Sequence, residues 1–311
     1  TMRDLLTSLG GLDRCVTEFV RVSERLLPHR VFYRLCPELR QGGTTASGVP
    51  VYLQLLGGDP QVVAENAARA AELGAPGIDL NFGCPAKTVN RSDGGSIILR
   101  DPARVEAITA AARRAVPAEI PLTVKTRLGY EDQDRFLDIA RAVEAAGATE
   151  LTVHARTKKH GYRPPAYWAE IARASRVVDL PLITNGEIWS TEDAARAQDA
   201  SGCIDLMLGR GVLCRPDLPR LVRAARQGVN RTPMAWSEIP PLLLRFFELN
   251  LANYDAHYAG NPVKQWLVYL RAYFPQAGPL FENVKRLRQP GEIRSQLERA
   301  VAENRPQQSA A

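Results

Sequence analysis

The sequence predicts an α/β protein: a (β/α)8 TIM barrel whose first strand is missing from this chain, followed by a small C-terminal helical domain. Three observations predict it. Short β-rich apolar runs recur roughly every 30 residues. The segments between them are alanine-rich with helical periodicity. Several runs end in a polar residue, which suits a barrel whose chemistry sits at the strand C-termini.

The runs are Cys15–Phe19, Val49–Leu56, Gly77–Phe82, Leu122–Arg127, Glu150–Ala155, Leu182–Asn185 and Ile204–Gly209. Near-continuous apolar stretches such as Leu122-Thr123-Val124 fit parallel strands buried on both faces. No GxGxxG follows the first run, and the polar ends Gln54, Asn81, Lys125, His154, Asn185 and Arg210 favour a barrel over an open doubly wound sheet. Asp59-Pro60 and Asp101-Pro102 each place an N-cap before proline in a first helical turn. Only seven runs are present, so Met2, Leu5, Leu6 and Leu9 read as the helix that follows an absent first strand. From about Asn230 no β-rich run remains, and Ser237–His257, Pro262–Phe274, Gly278–Leu287 and Pro290–Asn304 read as helices. The expected division is therefore a catalytic barrel over 1–229 and a helical domain over 230–311, with Arg305–Ala311 frayed.

With 311 residues, 45% hydrophobic and 24% charged, the chain is excluded from the disordered and collagen-like classes. Forty Lys and Arg against 34 Asp and Glu give a net charge of +6, which favours an anionic partner such as nucleic acid. Five cysteines, an odd number without CxxC spacing, argue against a disulfide framework and a bound metal, and for a reducing, cytoplasmic compartment. No apolar run approaches the length of a membrane span. The expected state is a monomer.

The segment Gly77-Ile78-Asp79-Leu80-Asn81-Phe82-Gly83-Cys84-Pro85 carries the most chemistry. A strand ends at Asn81, Gly83 permits an unusual turn, and Pro85 fixes the backbone beyond. One thiol, Cys84, is thereby held at the barrel mouth, able to act as proton donor or nucleophile. Lys125 and His154 point into the same mouth, and Gln54 offers both a donor and an acceptor to a ring edge. The loops Asn185-Gly186-Glu187 and Gly209-Arg210-Gly211 follow the last two strands, where barrels often bind phosphate. A phosphate grip, a cation and amide donors around one mouth suit flavin mononucleotide (FMN).

The motifs DLNFGCPAKTVN, GGSIILRDP, TVKTRLG, TVHART, TNGEI and LGRG occur in order and resemble the tRNA-dihydrouridine synthase family. CVTEFVRV and VKQWLVYLR are similar to its DusC-like subfamily, which acts on uridine 16 of the tRNA D-loop. The resemblance runs from Thr1 to about Leu287; the family's Pro-Met-Glu motif of the first strand has no counterpart here. It implies an FMN-bearing barrel and a helical domain that helps hold tRNA. By resemblance Gln54, Lys125 and His154 contact the flavin ring, and Asn185, Gly186, Glu187, Gly209 and Arg210 line its ribityl-phosphate end. Asn81 lies beside the target uracil and Cys84 is the general acid. The implied order is reduction of FMN by NADPH, hydride transfer to C6 of uracil, and protonation of C5 by Cys84. Arg21, Lys264 and Lys285 or Arg286 are the expected tRNA contacts, within a basic stretch interleaved with Trp266, Tyr269, Tyr273 and Phe274. Lys158, Lys159 and Arg163 form a second basic rim on a mobile loop. Two alternatives stand beside this reading: an FMN barrel acting on a small molecule, and an inactive RNA-binding barrel.

Overall fold

The computed structural model describes residues 1–304; the stretch expected to fray, 305–311, lies outside the described residues. Packing divides the chain into two compact units. One comprises Asp13–Ile188 and Glu192–Leu208; the other comprises Thr1–Leu12, Trp189–Thr191 and the chain from Gly209 onward.

The first unit holds the sheet. Its strands are β1 (Cys15–Val16), β2 (Val20–Arg21), β3 (Val51–Leu56), β4 (Ile78–Asn81), β5 (Leu122–Arg127), β6 (Glu150–His154), β7 (Leu182–Asn185) and β8 (Asp205–Met207). All pairs are parallel, from β1 and β2 on one flank of β3 through to β8 at the far edge. The expected first run is split into two short strands sharing one partner, with Cys15 opposite Val51 and Val20 opposite Leu55. Thr17 bridges the break: its hydroxyl accepts the Gln54 amide at 3.0 Å.

Register fixes which side chains share a face. Gln54 pairs with Asp79, Asp79 with Thr123, Asn81 with Lys125, Arg127 with His154, and His154 with Asn185. These polar residues line one face, and with the period of two the opposite face carries Leu53, Leu55, Ile78, Leu80, Leu122, Val124, Leu151 and Val153. That apolar face packs beneath the helices Pro60–Glu72, Pro102–Ala115 and Phe136–Ala145, which contribute Val63, Ala67, Val105, Ile108, Ile139 and Val143 to the core. The Asp-Pro starts act as expected: Asp59 accepts from the Val62 amide at 2.9 Å, and Asp101 from the Ala103 amide at 3.1 Å. The polar face is concave. Arg14, beside β1, forms an ion pair with Glu150 of β6, across β3, β4 and β5. Four strand spacings would separate these elements by about 19 Å in a flat sheet, beyond side-chain reach, so the sheet curls around this face as a barrel does. The strands are buried on both faces, as expected, but the buried side chains are apolar toward the helices and largely polar on the concave face.

The second unit is helical: Met2–Ser8, Arg210–Cys214, Leu218–Arg226, Ile239–Asn253, Gly260–Leu270, Ala277–Val284 and Pro290–Glu303. Its core contains Leu5, Leu243, Phe246, Phe247, Trp266, Leu267 and Leu297. The N-terminal helix therefore packs in this core through Leu5, and Thr1 reaches Asn250 at 3.0 Å. Its apolar spacing was read as belonging to a barrel helix. The units consequently do not follow the expected division at 229/230: residues 1–12 and 209–229 pack with the C-terminal helices. Among the described residues no helix is long and apolar enough to cross a membrane, and no cluster of His, Cys, Asp and Glu could hold a metal ion.

Candidate active site

The cysteine motif leaves β4 at Asn81. The Asn81 Oδ1 atom accepts from the Gly83 amide at 2.9 Å and the Cys84 amide at 3.0 Å. Such a side-chain-to-backbone turn is a local preference of asparagine. The Cys84 carbonyl in turn accepts from Asn90 Nδ2 at 3.0 Å, Ser96 Oγ at 2.9 Å and the Ser96 amide at 3.0 Å. Both peptide groups of Cys84 are thus held, and the residue is partly exposed. Gly83 does not supply the expected unusual turn, because a Cβ there meets nothing closer than 3.4 Å. The glycine that the loop requires is Gly95, at φ +68, where a Cβ would come within 2.8 Å of the Cys84 carbonyl oxygen.

Around this loop the concave face carries two chains of hydrogen bonds. Asn81 Nδ2 donates to Gln54 Oε1 at 2.7 Å. Gln54 Nε2 donates to Asp79 Oδ2 at 2.6 Å, and Thr123 Oγ1 donates to Asp79 Oδ1 at 2.6 Å. Lys125 Nζ donates to Asn185 Oδ1 at 2.8 Å, and Asn185 Nδ2 donates to the Met207 carbonyl at 2.6 Å. Burial pushes the Asp79 carboxyl up to about 6, against the opposing pull of its bonds to Thr123 and Gln54 and the charges of Lys125 and Arg14. Burial likewise pulls Lys125 down to about 8; Asp79 opposes that shift and Arg127 adds to it.

His154 ends β6 and is 8% exposed. Its ring closes against Gly186, which has φ +111 and where a Cβ would meet the imidazole at 3.2 Å. The Gly186 carbonyl accepts from Trp168 Nε1 at 2.8 Å. Glu187 forms an ion pair with the fully buried Arg156. Gly209 and Arg210 belong to the helical unit, where Arg210 begins the helix Arg210–Cys214 and its guanidinium stacks over Trp189 at 5.1 Å.

Sequence reasoning missed Arg127. The residue is 2% exposed, and its guanidinium donates to the carbonyls of Gly83 at 2.8 Å, Thr157 at 3.1 Å and Gly161 at 2.9 Å. It also lies 5.3 Å from the Tyr162 ring. One side chain therefore ties the cysteine loop to the segment carrying Lys158, Lys159 and Arg163, expected to form a mobile rim. Burial lowers the pKa of Arg127. Asp79 was also missed. Both could have been found by extending the period of two from Lys125 and Asn81.

The family model for dihydrouridine synthase matches residues 1–308. The chain belongs to the dihydrouridine synthase family. It is 51% identical over 285 residues to the tRNA-dihydrouridine(16) synthase of Pseudomonas syringae pv. tomato, covering 92% of this chain and 90% of that protein. It is 46% identical to the protein of that name from Shewanella oneidensis, covering 96% and 93%, and 46% identical to that from Ralstonia nicotianae, covering 97% and 92%.

The RNA contacts expected for a dihydrouridine synthase fall in two places. Arg21 is exposed at the end of β2 and donates to the Thr88 carbonyl at 3.3 Å. Lys264, Lys285 and Arg286 come together in the helical unit, lining a groove of about 560 Å³ with Arg288 and His257. Lys264 donates to the Leu287 carbonyl at 2.5 Å, and burial together with Arg288 lowers its pKa. Lys285 pairs with Glu282. Of the interleaved aromatics, Trp266 and Phe274 are core residues, whereas Tyr269 and Tyr273 are exposed.

Proposed function

We propose that the protein reduces uridine 16 of tRNA to 5,6-dihydrouridine, with FMN as cofactor and NADPH as its reductant, acting as a monomer in the cytoplasm. Membership of the family supports the reaction, and the shared name of the three relatives supports the position. The observation that carries the reading is the geometry of Cys84: a partly exposed residue whose peptide amide and carbonyl are both anchored just beyond the C-terminal end of a parallel strand.

The donor set on the concave face fits a flavin. Gln54 and Asn185 supply amides, Lys125 an ammonium and His154 an imidazole, all near the ends of neighbouring strands. When bound, reduced FMN supplies the hydride that adds to C6 of the uracil. Lys125, whose pKa burial lowers to about 8 and which Asn185 steadies, would hold positive charge beside a bound flavin. Asn81 orients the base and the cysteine loop together. The Cys84 Sγ–H bond breaks and its proton goes to C5, completing addition across the C5=C6 bond. Gly186, Glu187, Gly209 and Arg210 are proposed for the ribityl-phosphate end on the strength of their motifs. The base leaves the RNA stack to reach this face. The groove of Lys264, Lys285 and Arg286, with Arg21, is proposed to contact tRNA phosphates.

The deciding experiment is Cys84→Ala. The purified variant should keep its visible flavin absorbance while dihydrouridine formation at position 16, read by mass spectrometry of digested tRNA, falls at least about a hundredfold. Full turnover would remove the proton-donor role. Persistence of dihydrouridine 16 in cells lacking the protein would remove the position.

A further inference from the structure

The hydrogen bonds that lead to Cys84 have a definite direction. Backbone N–H groups can only donate, so the amides of Gly83 and Cys84 require an oxygen from Asn81. That places the Asn81 NH2 group toward Gln54, which must then present its own oxygen, at 2.7 Å. The Gln54 NH2 group is left facing Asp79 at 2.6 Å, a position that only an acceptor can fill. Asp79 is 2% exposed, and its second oxygen is taken by Thr123 Oγ1 at 2.6 Å. The chain is therefore determined at both ends, by two peptide donors at one and a carboxylate at the other. Reversal of either amide would set NH2 against NH2 or against N–H.

We propose that Asp79 is a positioning residue for Cys84: its carboxylate, by accepting only, sets the orientation of Gln54 and through it that of Asn81, which holds the cysteine loop. Asp79 touches neither the thiol nor any reacting atom; it acts through two amides. A carboxylate suits this task where asparagine would not, because an amide at 79 could face Gln54 with either end. The charges of Lys125 and Arg14 face the same carboxylate and favour its ionised, acceptor-only form. The relevance of this chain to turnover rests on the proposed role of Cys84.

The test reads the loop rather than the reaction. Hydrogen–deuterium exchange of the Gly83 and Cys84 amides is measured in the flavin-loaded protein. In Asp79→Leu, exchange at these two amides should quicken about tenfold, the equivalent of one lost hydrogen bond. Adding Asn81→Asp should return it to within about twofold of the wild type, because a carboxylate at 81 always presents oxygen to the two peptide amides and Gln54, no longer held by Asp79, can turn its NH2 group toward it. A purely structural role for Asp79 would not be rescued in this way. Should Asp79→Leu not fold, Asp79→Asn and the exchange of residues Asp79→Asn/Asn81→Asp decide the matter. The single variant should lose protection. The pair reverses the two bonds that Gln54 makes, to 81 and to 79, leaves the Gly83 and Cys84 amides an oxygen to donate to, and should regain it. Unchanged exchange in a folded Asp79→Leu, or acceleration that Asn81→Asp fails to correct, would overturn the proposal. Full dihydrouridine formation by Cys84→Ala would remove the catalytic reading while leaving the exchange results to stand or fall alone.

Discussion

The buried carboxylate of Asp79 makes a pH-dependent contribution to stability whose sign and size follow from its surroundings. Burial raises it from an ordinary 3.8 to about 6, so the folded state holds this proton more tightly than the unfolded chain. Stability from that preference is fully present below pH 3.8 and is lost as pH rises through about 6. Across the whole shift the change is about 3 kcal/mol, and between pH 4 and 6.5 it is about 2 kcal/mol. The perturbation is Asp79→Asn, which cannot titrate. Urea unfolding of both proteins over that range isolates the effect, since groups not coupled to position 79 cancel in the difference. The variant should gain about 2 kcal/mol on the wild type as pH rises from 4 to 6.5. The window ends there because Lys125, pulled down to about 8, begins to lose its proton above it. Arg14, which also faces Asp79 and is paired with Glu150, keeps its charge throughout. A difference that stays flat, or that falls with pH, would refute the assignment of Asp79 as a buried, destabilised anion.

Gly186→Ala forces a left-handed residue with its Cβ 3.2 Å from the His154 ring; a loss of about 1–3 kcal/mol by thermal unfolding and reduced flavin content are expected. Arg127→Met keeps the aliphatic stem but leaves the carbonyls of Gly83, Thr157 and Gly161 without their donor. We expect about 3 kcal/mol of destabilisation and faster limited proteolysis between residues 157 and 163. Lys264→Glu with Lys285→Glu should weaken tRNA binding at low salt and reduce the slope of log K against log salt by about 1–2, measured by filter binding.

Much of the framework was legible in the sequence. The Asp-Pro starts worked because an N-cap is a local device, closed by bonds within three residues. The strands worked because β-rich runs of parallel sheets stand out against alanine-rich helices, and Asn81, Lys125, His154 and Asn185 share the concave face. Other features depend on distant partners. The spacing of Met2, Leu5, Leu6 and Leu9 announces an amphipathic helix but not which core receives it, and Leu5 is buried among C-terminal helices. Interleaving of aromatics with basic residues does not say which rings pack inward: Trp266 and Phe274 are core, whereas Tyr269 and Tyr273 are exposed. Gly83 was credited with a turn that Asn81 and Gly95 make. The helix and the glycine share one cause: a residue was given a role that its neighbours in space decide.

The concave face also explains why Asp79 and Arg127 were overlooked. Barrel interiors are ordinarily filled by layers of branched apolar side chains, so reading each strand for a single polar terminus seemed sufficient. Here the interior of β3, β4 and β5 carries Gln54, Asp79, Asn81, Thr123, Lys125 and Arg127. Burial disfavours charge at three of them, raising Asp79 and lowering Lys125 and Arg127. A polar interior of this kind weakens the fold relative to an apolar one of equal volume. Its use lies in order: every amide between Asp79 and Cys84 has one permitted orientation, and a loop made of short local turns inherits the rigidity of the sheet beneath it.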